Sequence, residues 1–257
     1  MNIRLLLGSV LFINCLCFAH NLPRPFFRYS DSYLNRNEKR TICGSNDMVP
    51  MTSSSEALNS MGTPIGIYSG EVDGGVGFCT GTLITKDLFL TAEHCAADCE
   101  SIQVTFGYLG RDREETFYCK KIIEKGDGKA ENDYLIVQLE GNPGVQWGWY
   151  DVSASTVESN SQLLMIHHPK ATPMKVSYKN CSLKSEEGGF LMHQCDTQSG
   201  SSGSAILLPN FETPEQTKIV GVHTLGGCDE EGDSTNSGPS MRHLVEISPT
   251  LRSIAKQ

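Results

Sequence analysis

The sequence predicts an all-β fold on three observations. From Pro64 onward, short runs rich in Ile, Val, Thr, Tyr and Phe recur at even spacing. Turns containing Gly, Asp or Asn separate them. One stretch alone, 248–256 with Pro249 near its start, reads as a closing helix. Many short strands in this rhythm build barrels or sandwiches.

Taken in order, Arg4 precedes an apolar run over 5–18 that ends at Ala19. A positive start, a short apolar core and a small residue before the cut describe a secretory signal peptide, residues 1–19. The run is short for a membrane helix, and no second long apolar stretch follows. Residues 20–40 are basic, aromatic and Pro-containing and end in Glu38-Lys39-Arg40. They read as a linker or as a propeptide cut after Arg40. A first strand set follows at 64–68, 77–85, 88–92, 102–108, 116–123 and 134–139. A second set lies at 163–167, 174–177, 190–195, 205–208, 219–224 and 239–243, with the division near 141–149.

The 257 residues carry a net charge of −9. Six of the 21 basic and two of the 30 acidic residues precede Thr41, leaving 15 against 28 in the body. So acidic a body argues against nucleic acid and anionic membranes as partners. Cys15 and Cys17 lie in the apolar leader, leaving Cys43, Cys79, Cys95, Cys99, Cys119, Cys181, Cys195 and Cys228. None forms a C-x-x-C pair, so a zinc ribbon is not expected. In an exported chain they read as disulfides, though eight cysteines allow 105 pairings.

Three stretches carry the chemistry. Gly200-Ser201-Ser202-Gly203-Ser204 offers a serine between glycines, where the backbone turns tightly and can approach a substrate. A serine hydroxyl needs a base to take its proton and N–H groups aimed at the developing oxyanion. Thr91-Ala92-Glu93-His94-Cys95 supplies a histidine, the side-chain type suited to act as general base and acid, after an apolar run. Asn132-Asp133-Tyr134-Leu135-Ile136-Val137 supplies a carboxylate before an apolar strand, with Asp127 in the turn 125–129 as its competitor. The chain order is His, Asp, Ser.

In these three motifs the chain, over about residues 41–255, resembles the trypsin-like serine endopeptidases, and in pattern the bacterial-type glutamyl endopeptidases. The resemblance implies two six-stranded antiparallel β-barrels, about 60–140 and 150–245, with the active site between them and a C-terminal helix. It implies Ser202 as nucleophile, His94 as general base and then acid, and Asp133 as the group that orients His94. The backbone N–H groups of Gly200 and Ser202 are the implied oxyanion donors, and Cys79–Cys95 the disulfide holding the histidine loop. The pairings Cys43–Cys228, Cys99–Cys119 and Cys181–Cys195 are weaker expectations. The stretch from Thr41 to Asp47 looks like the mature start of glutamyl endopeptidases, which favours processing after Arg40 and a 41–257 protease domain. At position 201 mammalian trypsin-like enzymes carry an Asp that pairs with the new N-terminal amine; Ser201 cannot.

Two signals conflict over specificity. Asp196 lies six residues before Ser202, where trypsins hold the carboxylate that binds Lys or Arg. Thr197 and His223 match the Thr and His that bind a substrate carboxylate in glutamyl endopeptidases. Two matched donors outweigh one ambiguous position, so cleavage after Glu is expected, with Lys/Arg cleavage as the alternative and a non-catalytic binding homologue as the other class. Ile166-His167-His168-Pro169 resembles a strand-turn of bacterial lysyl endopeptidases, and its histidines read as loop residues lining the cleft at most. The acidic run 228–233 reads as a solvated loop rather than a calcium site, and Asn180-Cys181-Ser182 is a glycosylation sequon. The expectation is a secreted monomer acting on protein or peptide substrates, with no metal, no cofactor, no nucleic-acid partner and no membrane contact after signal removal.

Overall fold

The structure, a computed structural model, describes residues 41–72, 74–110, 114–228 and 234–256. The expected signal peptide, the expected propeptide and most of the acidic run 228–233 lie outside the described residues. Fifteen strands are described. In the first half they are β1 (Val49–Pro50), β2 (Ile65–Val72), β3 (Gly75–Leu83), β4 (Leu88–Thr91), β5 (Gln103–Phe106), β6 (Glu115–Lys125) and β7 (Leu135–Leu139). The second half carries β8 (Asp151–Val152), β9 (Met165–His167), β10 (Lys175–Ser177), β11 (Leu183–Glu187) and β12 (Phe190–His193). It ends with β13 (Ala205–Leu208), β14 (Lys218–Val222) and β15 (Asn236–Pro239).

Strands β2 to β7 close into a six-stranded antiparallel barrel in the order β2-β3-β4-β7-β6-β5. Closure removes the exposed edges of a sheet. The interior is filled by Leu83, Phe89, Val104, Phe106, Leu135 and Val137, all buried. The Phe106 ring meets Phe89 edge-on at 5.9 Å and stacks on Trp147 at 5.8 Å. Along β6 half-buried and exposed residues alternate through Cys119, the period-2 pattern of a strand with one wet face.

The second half is more broken. Its strands pair as three three-stranded sheets, β1-β10-β9, β11-β12-β15 and β13-β14-β8. Isolated bridges tie them: Leu164 to Leu207, Gly221 to Ser240 and Leu225 to Ser237. Strand β11 had no place among the expected strands, because its run Leu-Lys-Ser-Glu-Glu carries one apolar residue. The expected strand at 239–243 is a correction. Pro239 ends β15, Ser240 caps with its side chain accepting from the His243 N–H, and helix Met241–Ile247 follows, burying Met241 and Leu244. The closing helix is present as Pro249–Ile254, capped by Ser248. All four disulfides among the eight cysteines are formed as expected: Cys43–Cys228, Cys79–Cys95, Cys99–Cys119 and Cys181–Cys195.

Candidate active site

Adjacent strands bring His94 and Asp133 together. Thr91 at the end of β4 pairs with Leu135 at the start of β7. The chain beyond Thr91 therefore meets the chain before Leu135. His94 sits in the tight turn Glu93–Cys95, pinned to β3 by Cys79–Cys95. Its Nδ1 lies 2.6 Å from Asp133 Oδ2, and its backbone N–H donates to Asp133 Oδ1 at 3.0 Å. A carboxylate only accepts, so Nδ1 carries a proton, and in the neutral ring Nε2 is the nitrogen left with a lone pair. The imidazole side chain remains 44% exposed while that of Asp133 is only 11% exposed. The ring can thus reach a substrate and its partner is shielded from water.

Asp127, the rival carboxylate, serves the same loop as a prop. It accepts from Asn132 Nδ2 at 2.8 Å, and hydrogen bonds from Asn132 and Lys129 hold its carboxyl down at about 2. Asn132 Oδ1 in turn accepts from His243 Nε2 at 2.8 Å.

Ser202 is half-buried in the loop between Asp196 and β13. Gly203 has φ +83°, and a Cβ there would meet Thr91 Oγ1 at 2.1 Å, Thr80 O at 2.3 Å and Ala92 N at 2.8 Å. Only glycine permits this approach, which lays the serine loop against the strand end leading to His94. The Ser202 carbonyl accepts from Thr80 N at 2.8 Å. Among the described residues no hydrogen bond joins Ser202 Oγ to His94. Around the loop, the N–H groups of Ser201, Gly203 and Ser204 donate to Gln198 O, His223 O and Ser201 O. Among the described residues those of Gly200 and Ser202 donate to no protein acceptor. Two unclaimed N–H groups beside a serine can receive a developing oxyanion.

Two of the three expected specificity residues, Asp196 and Thr197, are held by the chain's own segment 41–47, whereas the His223 side chain meets His193. Asp196 is buried, and its two oxygens accept from Cys43 N and Asp47 N, each at 2.8 Å. Burial raises its carboxyl and these N–H groups oppose the rise. Thr197 N donates to Thr41 O at 3.0 Å. Asn236, fully buried, donates through Nδ2 to Thr41 O at 2.8 Å and Cys195 O at 2.9 Å. His223 is buried, and its Nδ1 lies 3.2 Å from His193 Nε2. His193 Nδ1 accepts from the Cys195 N–H at 3.2 Å. A neutral His193 therefore holds its proton on Nε2 and gives it to His223 Nδ1, which leaves His223 with a donor at Nε2. Neutrality follows from burial, which pushes His193 down to about 3 and His223 well below its usual value, with the neighbouring His193 adding to the effect.

His193, Asn236, His167 and Thr80 carry weight here that the sequence reading did not assign. No local pattern marks them, since each acts through partners far along the chain. His167 and His168 are fully buried, which corrects their reading as loop residues lining the cleft. One trio of potential metal ligands stands together among the described residues, Cys79, His94 and Cys95, but both sulfurs are spent in a disulfide.

Comparison with known proteins agrees with this architecture. A family model for the lysyl endopeptidase C-terminal domain matches residues 43–238. Serine protease 23 of Mus musculus is 25% identical over 180 residues, 56% of this chain and 47% of that protein. Secreted RxLR effector protein 73 of Plasmopara viticola is 24% identical over 143 residues, 52% of this chain and 32% of that protein. The chain thus spans less than half the length of these curated relatives. A solved Glu endopeptidase structure superposes with a TM-score of 0.60 at 19% identity, covering 83% of this chain and 96% of that one. A family match over most of the chain leads to one conclusion: the chain belongs to the lysyl endopeptidase C-terminal domain family.

Proposed function

We propose that the protein is a secreted serine endopeptidase that hydrolyses peptide bonds through Ser202, His94 and Asp133, with preference for cleavage after Glu. The observation that carries the catalytic part is the clamped His94–Asp133 pair, 2.6 Å apart, beside a serine loop with two undonated N–H groups. His94 Nε2 takes the Ser202 proton as Oγ attacks the scissile carbonyl. The oxyanion is received by the N–H groups of Gly200 and Ser202. His94 returns the proton to the leaving amine, and water then hydrolyses the acyl-enzyme by the same steps. Four disulfides suit an oxidising, extracellular setting. No described helix is long and apolar enough to cross a membrane.

Two features support the Glu preference. His223 presents a donor from Nε2, fixed by the His193 hydrogen bond. Asp196, the residue a Lys or Arg side chain would need, has both oxygens occupied by main-chain N–H groups. Thr41 lies against Thr197, so processing after Arg40 would bring an ammonium group to the same wall. The second reading, cleavage after Lys, is favoured by the description of the matched family; in it Asp196 is the cation's partner. Digestion of a mixed peptide library by the protein separates the two. Cuts after Glu support the first reading, and cuts confined to Lys or Arg sink it.

A further inference from the structure

We propose that His167 is a positioning residue for catalysis: through Ser201 it holds the loop that presents the nucleophile and the oxyanion donors. This rests on the reading of Ser202 as nucleophile.

The hydrogen-bond directions are determined link by link. Ser177 Oγ donates to the Asp196 carbonyl at 2.7 Å, so its one proton is committed. It can only accept from His167 Nε2, 3.2 Å away. His167 Nδ1 is then bare and accepts from Ser201 Oγ at 2.7 Å. Ser201 Oγ also accepts the Gln198 N–H at 3.0 Å, which closes the turn before the nucleophile. The relay runs through fully buried side chains, and burial keeps the His167 ring neutral, down to about 3. Each member therefore stays in one protonation state through the neutral range.

The residues after His167 brace the same loop from outside. Lys170 N donates to Ser199 O. His168 O lies 2.8 Å from where a Gly200 Cβ would be. Thr80 Oγ1 accepts from His168 N at 2.9 Å and donates to Gly200 O at 2.9 Å. The turn reaches these contacts with Lys170 and Ala171 in the left-handed region, at φ 54° and 53°. Two consecutive non-glycine residues there are strained, because Cβ crowds the following carbonyl oxygen. Such strain persists only where surrounding contacts enforce it, and it gathers at functional sites. Here the turn reaches Ser199 and Gly200 directly, and Gly200 again through Thr80.

The test measures kcat and KM on fluorogenic peptides carrying Glu or Lys before the scissile bond, using the processed wild-type protein. Ser201→Ala deletes one oxygen and keeps the fold. Its kcat should fall about tenfold or more, with KM within about twofold, because a displaced donor weakens the transition state rather than binding. His167→Leu should match it, and His167→Gln, which keeps an acceptor and a donor on one amide, should recover most of the loss. Ser202→Ala is run beside them. If Ser202→Ala is dead while Ser201→Ala keeps the wild-type kcat, the positioning role is wrong and the nucleophile stands. If Ser202→Ala stays active, the nucleophile assignment falls and the positioning role falls with it. Should His167→Leu fail to fold, Ser201→Ala still decides.

Discussion

The backbone N–H of Cys43 donates to the carboxylate of Asp196 at 2.8 Å, across 153 residues of chain. Asp47 N engages the other carboxylate oxygen, and the Cys43–Cys228 disulfide ties the same segment to the chain 185 residues further on. The carboxylate thus organises the protein's own N-terminal segment. Asp196→Asn keeps one acceptor and loses a charge-assisted bond, for an expected cost of about 1.5–3 kcal/mol. A denaturant melt should show that loss while the peptide-library preference for Glu survives. Disappearance of a Lys cleavage activity on this substitution would instead identify Asp196 as the substrate's partner.

Buried histidines set an acid limit on stability. Burial lowers His168 to about 4 and His193 to about 3. The unfolded chain binds these protons from about pH 6.5 downward, whereas the fold refuses them until about pH 3–4. Stability therefore falls as pH drops through that window. Asp196, with its carboxyl raised by burial, opposes this by at most one proton. At pH 5 each such histidine should remove about 2 kcal/mol relative to pH 7.5. His168→Asn keeps a donor for Thr172 O, the partner of His168 Nδ1, and should shrink the difference between the two pH values by about that amount. Equal urea midpoints for wild type at pH 7.5 and 5.0 would contradict the assignment.

His243 reaches across from the helix Met241–Ile247 to Asn132, the neighbour of Asp133, at 2.8 Å. The second half of the molecule thereby steadies the loop that orients His94. His243→Ala should lower kcat several-fold, about 1 kcal/mol of barrier, with little change in KM. In a double-mutant cycle with Asn132→Ala the two losses should overlap; full additivity would show that the contact does not matter for turnover.

Much of this site was legible because its residues stand in local patterns. His94 and Asp133 each adjoin an apolar strand, and Ser202 lies between two glycines that mark a tight turn in the sequence. The six barrel strands were readable for the same reason, since Ile, Val, Phe and Tyr concentrate in β2 to β7. The helix beginning at Met241 was not, because Pro239-Ser240-Met241 reads equally well as a strand edge until the Ser240 cap is seen. His167 was read only as a loop residue lining the cleft, and His193 and Asn236 were invisible as site residues. Their partners, Ser201, His223 and Thr41, lie 34, 30 and 195 residues away, and a buried polar residue shows its role only once its partner is known.

The Cys79–Cys95 bridge closes a loop of 16 residues around the approach to His94. Replacing both cysteines with alanine should cost about 3 kcal/mol through chain entropy. It should also lower kcat, because the turn Glu93–Cys95 loses its tie to β3. Thermal midpoint and turnover measured together check this; a lowered midpoint with unchanged kcat would separate the bridge from catalysis.

The most direct measurement of the central claim is the mass of the folded, processed protein after reaction with a fluorophosphonate, followed by peptide mapping. One adduct, located on Ser202, formed far more slowly in His94→Ala and absent in Ser202→Ala, is the predicted result. A folded protein that takes up no adduct, or takes it up on a residue other than Ser202, would contradict it.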